Sequence, residues 1–261
     1  MIKNYQSAVR RDSNDPALSE VGQPAKQWII VEGNVGAGKS TFLKMIQQYL
    51  DVGFVYEPHE QWQRVGDTGN LLEQFYENPQ RWAYTFQSYA FITRIKAQQQ
   101  FAQKTHQQNC ILERSVFSDR YCFAKNAYET GFMSPLEWHL YREWFSWLVE
   151  YYMPKPAGFI YLRVDPKVCL DRMQIRNRHE ESSVPLHYLQ QLHEKHEKWL
   201  VQKEGVDALV RDVPVLILDG NPDFEHTVSQ QLDHIAKITN FFKDVHHKKP
   251  ITMPTQSYLS L

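Results

Sequence analysis

Little in this chain of 261 residues is one-sided. Lys and Arg number 29 against 30 Asp and Glu, a formal net charge of −1, so the basic footprint of a nucleic-acid-binding surface is missing and no polymeric DNA or RNA partner is expected. No apolar run approaches the roughly 18 residues of a membrane span, so no membrane partner is expected either. Only three cysteines occur, Cys110, Cys122 and Cys169, with no C-x-x-C pair. They read as core thiols of a reducing compartment, and the expected location is cytoplasmic. No internal repeat and no metal-ligand spacing is present. The first 25 residues are polar, without the apolar core of a secretion signal, and Asp12, Asp15 and Glu20 argue against a mitochondrial presequence. What remains is ordinary globular material: 42% hydrophobic residues, enough for a sizeable core in one large α/β domain or two small ones.

The informative stretch is Gly33-Asn34-Val35-Gly36-Ala37-Gly38-Lys39-Ser40-Thr41, which fits G-x-x-x-x-G-K-[ST]. An apolar run, Trp28 to Val31, precedes it as a buried strand. Thr41 to Leu50 follows as a helix, with Phe42, Leu43, Ile46 and Leu50 on one face. Strand, glycine turn and helix together make a phosphate cradle: backbone N–H groups point inward and the helix N-terminus adds its positive end. Lys39 is expected to reach the β- and γ-phosphates, and the Ser40 hydroxyl to bind Mg²⁺. A nucleoside triphosphate ligand follows.

Beyond the cradle, helices alternate with four more strands. Gly53 to Tyr56 ends in Glu57-Pro58, placing a carboxylate at a strand tip. Asn70 to Gln108 is mostly helical, broken at Asn78-Pro79, and crowded with aromatics; Gln87 and Arg94 share one face of it. Cys110 to Leu112 is a third strand with Glu113 at its tip, where P-loop enzymes hold Mg²⁺. Asp119, Arg120 and Phe123 open another helix. Ser134-Pro135-Leu136-Glu137 is a capping box that starts an apolar helix suited to a subunit interface. Phe159 to Val164 is the fourth strand. A helix from Lys167 then carries Arg172, Arg176 and Arg178, whose mutual repulsion asks for an anion. Leu186 to Val201 is amphipathic, Val213 to Leu218 is the fifth strand, and Asp219 to Phe224 turns into a last helix. The expected architecture is α/β, a five-stranded parallel sheet flanked by helices in a P-loop kinase fold with an arginine-rich lid at about 172–184. Residues 1–25 form an expected leader, 26–242 a single kinase domain and 243–261 a loose tail. No Asn-Lys-x-Asp element speaks for guanine nucleotide, and the arginine segment suits phosphoryl transfer to a small molecule.

These residues resemble the deoxynucleoside kinases of the deoxycytidine and deoxyguanosine kinase type. The likeness runs from Trp28 to Phe242 through Tyr56-Glu57-Pro58 with Trp62, Asn70-Leu71-Leu72, Tyr76 to Trp82, Thr85 to Tyr89, Glu113 to Tyr121 and Arg176 to Glu181. The resemblance implies that Glu57 takes the proton of a sugar 5′-hydroxyl while Arg114 holds it and balances developing charge. Glu113 would join Ser40 at Mg²⁺, and Arg172, Arg176 and Arg178 would clamp the phosphates of ATP. Asp223 and Phe224 would lie along its adenine. Tyr76 and Glu181 would grip the sugar 3′-hydroxyl, and Trp62 and Phe75 would line the nucleoside pocket. Phe86 and Phe123 would sandwich the base, with Gln87, Arg94 and Asp119 reading it. The Arg94–Asp119 pair matches purine and deoxycytidine users rather than thymidine users, and Phe75 and His59 are the positions that would shift the order among those bases. A homodimer is expected. The alternatives are a nucleoside monophosphate kinase, which would need further arginines around the acceptor's phosphate, or a non-catalytic nucleotide-binding partner of a related subunit.

Overall fold

Alternation within the first strand, β1 (Gln27–Glu32), divides the molecule. Ile29 and Val31 enter one core with Phe42, Leu43 and Ile46; Trp28 and Ile30 enter a second with Phe91, Phe117 and Phe145. The fourth strand, β4 (Gly158–Arg163), repeats the division, Ile160 and Leu162 on one side, Phe159 and Tyr161 on the other. A strand buried on both faces belongs inside a parallel sheet covered by helices. The structure, a computed structural model, describes residues 26–247, so the expected leader and the last residues of the expected tail lie outside it.

The remaining strands are β2 (Gly53–Val55), β3 (Asn109–Glu113) and β5 (Val215–Asp219). All five pair in parallel in the order β2-β3-β1-β4-β5. The helices are α1 (Lys39–Ile46), α2 (His59–Gln63), α3 (Leu71–Glu77), α4 (Pro79–Lys104), α5 (Val116–Ser118), α6 (Lys125–Glu129), α7 (Pro135–Tyr152), α8 (Pro166–Arg176), α9 (Leu186–His196), α10 (Ala208–Arg211) and α11 (Val228–His247). A third cluster, with Trp62, Phe75, Phe86 and Tyr141, lies between α2, α3, α4 and α7 and holds much of the aromatic content. Among the described residues no helix is long and apolar enough to cross a membrane.

Local chemistry sets the boundaries. Asn78 accepts from Arg81 N at 3.2 Å and Pro79 needs no N–H, so α3 stops and α4 starts where the sequence breaks. Ser134 and Glu137 exchange both bonds of their capping box, at 3.3 and 2.8 Å. Asp165 accepts from Lys167 N at 2.8 Å and opens α8. Several elements differ from expectation. The first helix ends at Ile46 rather than Leu50, its chain continuing as turns. The helix expected to open at Asp119 starts at Val116, where Ser115 caps it, and widens to π-type winding over Asp119–Ala124. The amphipathic helix widens likewise at Glu197–Val201. Finally, α11 runs to His247, past the expected start of the tail.

Candidate active site

Parallel strands deliver their C-terminal ends to one edge, and the site lies there. After β1 the chain wraps through Gly33–Gly38 into α1. Gly36 has φ +76°, and a β-carbon there would lie 2.4 Å from the Cys169 carbonyl of α8, so glycine is required. Gly38 stands left-handed at the helix N-cap, and no side chain caps that end. The first-turn N–H groups are left to an anion. The Asn34 side chain does not face the cavity; it donates to Leu189 O at 2.8 Å and accepts from Val35 N, bracing the loop on α9. Lys39 curls back on the loop, donating to Asn34 O at 2.8 Å and Gly33 O at 3.3 Å. Burial, with Arg114 adding, pushes its ammonium down to about 8 against the pull of Glu57 and Glu113.

The tips of β2 and β3 meet the loop. Ser40 Oγ donates to Glu113 Oε1 at 2.5 Å, and Glu57 N donates to Glu113 Oε2 at 3.3 Å. Glu57 Oε1 receives Arg114 Nε at 3.0 Å and Arg94 Nη2 at 2.9 Å. Burial opposes ionisation of this carboxyl, but Arg114, Arg94 and Lys39 outweigh it and hold it ionised far below the usual carboxylate range. Arg114 adopts φ +64°, a left-handed conformation rare outside glycine, and its guanidinium lies over the Phe123 ring. Behind it, fully buried Glu32 accepts from Ser115 Oγ at 2.5 Å. Burial pushes that acid up to about 7 despite Arg114 and the bonds from Ser115 and Ser118.

A cavity of about 260 Å³ runs from the loop between α3, α4 and α9. Of the expected nucleoside residues it is lined by Trp62, Phe75, Tyr76, Phe86, Gln87, Arg94, Asp119, Phe123 and Glu181. Val35, Gly36, Gly38, Lys39, Ser40, Thr41, Glu57, Glu113, Arg114, Arg176 and Arg178 line it as well. Arg94 grips Asp119 through Nε at 2.9 Å and Nη2 at 3.1 Å, both groups buried. Phe86 stacks on Phe75 at 4.8 Å, and Trp62 meets its edge while donating to Thr93 Oγ1 at 2.9 Å. Gln87 is buried, and among the described residues no hydrogen bond engages its amide.

Two groups of expected site residues are engaged by other parts of the chain in this structure. Arg172 is not in the cavity: its guanidinium donates to Ala37 O at 3.1 Å and to Gly220 O at 2.9 Å, with Asn221 O at 3.2 Å. Clustered backbone carbonyls satisfy its donors, making it a strut between the phosphate loop and the turn after β5. The Phe224 ring is buried beneath that strut, edge-on to Phe42 at 5.8 Å, so it presents no open face to an adenine. Asp223 is committed to its own turn, accepting from Glu225 N and His226 N. By contrast Arg176 and Arg178 both bond Glu181, the latter at 3.4 Å.

Sequence reasoning left out Lys44, Leu72, Ala90 and Tyr188 and named His59 only as a position that would shift the order among the bases; all five line the cavity. Leu72, Ala90 and Tyr188 sit on core-facing helix surfaces, where nothing in periodicity separates a pocket wall from a core. Among the described residues no three His, Cys, Asp or Glu side chains gather as a metal cluster.

Comparison with known proteins agrees with this geometry. The family model for deoxynucleoside kinase matches residues 29–243. The chain is 41% identical to the probable deoxycytidine kinase of fowlpox virus over 220 residues, 84% of this chain and 89% of the viral one. It is 40% identical to deoxycytidine kinase of Bos taurus over 240 residues, covering 83% and 92% of the two chains. Mitochondrial deoxyguanosine kinase of Xenopus laevis shares 39% over 219 residues, covering 75% and 82%. A phosphate loop opening onto a carboxylate and a buried aromatic pocket thus belongs to a phosphotransferase, and the chain is a member of the deoxynucleoside kinase family.

Proposed function

We propose that the chain transfers the γ-phosphoryl group of Mg·ATP to the 5′-hydroxyl of deoxyadenosine, deoxyguanosine or deoxycytidine, with thymidine a poor acceptor. One observation carries this reading. Glu57 Oε1 is taken by Arg114 and Arg94, while Oε2, engaged by no hydrogen bond among the described residues, belongs to a side chain lining the cavity between the phosphate loop and Gln87. An alcohol is far less acidic than a carboxyl, so Glu57 accepts its proton only as the O–P bond forms. Such assistance contributes about 10²–10⁴-fold. Lys39, Arg176 and Arg178 neutralise charge on the transferring group, and Arg114 holds the carboxylate oriented.

Ser40 and Glu113 present two hard oxygen donors, too few for an all-protein cage and suited to Mg²⁺, which keeps waters and takes the rest of its shell from phosphates. When bound there the ion neutralises phosphate charge. Buried Gln87 has an amide to satisfy, and an N–H₂ donor beside a ring-nitrogen acceptor, as in cytosine or adenine, satisfies it. The Arg94–Asp119 pair occupies space that a thymine methyl would need. Tyr76 and Glu181 bind the sugar 3′-hydroxyl, Asp223 and the backbone beside Phe224 border the adenine, and the lid at about 172–184, anchored on the phosphate loop by Arg172, presents Arg176 and Arg178 to the phosphates.

The chain is also proposed to form a homodimer through α4 and α7. Ile92, Trp144, Trp147 and Tyr151 are exposed on those helices, a larger apolar display than a free surface favours. The three cysteines are free and buried, in keeping with a cytoplasmic setting. The decisive experiment incubates the protein with Mg·ATP and each of the four deoxynucleosides, following monophosphate formation. Product from at least one of the first three, exceeding that from thymidine, is expected; no product from any deoxynucleoside overturns the reading.

A further inference from the structure

His59 stands two residues beyond Glu57, at the start of α2, and its ring lines the cavity. Its Nε2 lies 2.8 Å from Arg178 Nη1. A guanidinium has donors only, so the imidazole accepts at Nε2 and carries its proton on Nδ1. Burial favours that neutral form, and Arg178 and Arg176 reinforce it against Glu57 and Glu113. The Trp62 ring neighbours the imidazole, tilted, with ring centres 6.0 Å apart.

The segment carrying Arg178 touches α2 and α3 at two further places, Gln63 with Glu180 and Glu73 with His179. Neither involves a side chain that lines the cavity. The His59–Arg178 bond alone among these joins one wall of the site to the other. Without it, among the described residues, Arg178 keeps a single polar contact at 3.4 Å, to a Glu181 already bonded by Arg176. A long side chain held so weakly regains its rotamer freedom and leaves the transfer path.

Resting on the kinase reading above, we propose that His59 is a positioning residue that seats the Arg178 guanidinium over the transferring phosphoryl group and ties that arginine to the loop bearing Glu57. The nitrogen that matters is Nε2, which the carbonyl oxygen of glutamine can replace and that of the shorter asparagine cannot.

Steady-state kinetics of five variants, three at His59, Arg178→Ala and the double variant, test this, with thermal melting to establish that each is folded. His59→Ala is expected to lower kcat about tenfold while the nucleoside KM stays within about twofold, because only the placement of a charge is lost. His59→Gln should recover most of the rate and His59→Asn little of it. In an Arg178→Ala background, His59→Ala should cost nothing more. Full turnover by His59→Ala, an equal loss in the Arg178→Ala background, or His59→Gln no better than His59→Ala each overturns the proposal and leaves the kinase reading standing. A wild-type chain that phosphorylates no deoxynucleoside overturns both.

Discussion

Arg94 Nη2 lies 2.9 Å from Glu57 Oε1, across 37 residues of sequence. The same nitrogen is 3.1 Å from Asp119 Oδ1. The guanidinium that pairs with the expected base-reading acid therefore also holds the expected proton acceptor. Against the burial of Arg94, Asp119 and Glu57 keep it protonated. On the proposed reading, recognition of the base and orientation of the proton-accepting carboxylate pass through one side chain.

Glu57→Gln keeps the size of the side chain and removes its capacity to accept a proton. A fall in kcat of about 10²–10⁴ is expected, with nucleoside affinity by calorimetry nearly intact. Near-normal turnover would remove Glu57 as the proton acceptor.

Asp119→Ala leaves buried Arg94 with Glu57 as its remaining acidic partner and two donors unengaged, and should destabilise the fold by about 1–3 kcal/mol in urea unfolding. Adding Arg94→Met should recover part of that loss. The double variant should also raise kcat/KM for thymidine about tenfold relative to deoxycytidine, since the space over the base is freed. Unchanged selectivity would mean that the base is read elsewhere.

Glu32 gives a pH test of stability. Its acid is raised from 4.5 to about 7 in the folded chain, so folding favours the protonated form. Stability therefore falls as pH rises through the window from 4.5 to about 7, and the penalty is complete above it. Relative to wild type, Glu32→Gln should gain stability progressively from pH 4 to pH 8, by up to about 3 kcal/mol. Urea unfolding at four pH values measures the slope; a difference independent of pH would refute the assignment.

Trp144→Glu together with Trp147→Glu places charge on the exposed apolar face of α7. Light scattering is expected to give a dimer for the wild type and a monomer for the variant, with unfolding midpoints of the monomeric core little changed. A wild type that is monomeric at high concentration would remove the dimer.

The sheet and its cradle were legible because their signals are local. Trp28 to Val31 could only be a doubly buried strand, the glycines of Gly33 to Gly38 mark a loop, and Asn78-Pro79 and Ser134 with Glu137 act within one helical turn. The shared face of Gln87 and Arg94 also followed from helical geometry. What that face pointed toward did not. The Arg94–Glu57 and His59–Arg178 contacts join side chains 37 and 119 residues apart, and helical spacing carries no information on such partners. The partners of Arg172 were hidden for a related reason: three arginines in one segment suggest one anion, while the carbonyls that engage the first come from two other loops. Nor could a sequence disclose the left-handed backbone of Arg114, which tertiary structure imposes on a residue that does not favour it.

The closeness of Gly36 to the Cys169 carbonyl has a mechanical result. With no room for even a methyl group between them, the cradle and α8 are packed backbone to backbone, and Arg176, the last residue of that helix, takes its place from the cradle. Asn177 then turns left-handed at φ +52°, and Arg178 lies on the far side of that joint. One arginine is thus set by the floor of the site and the other by its opposite wall, with Glu181 joining them, so a triphosphate would be measured from two linked frames at once.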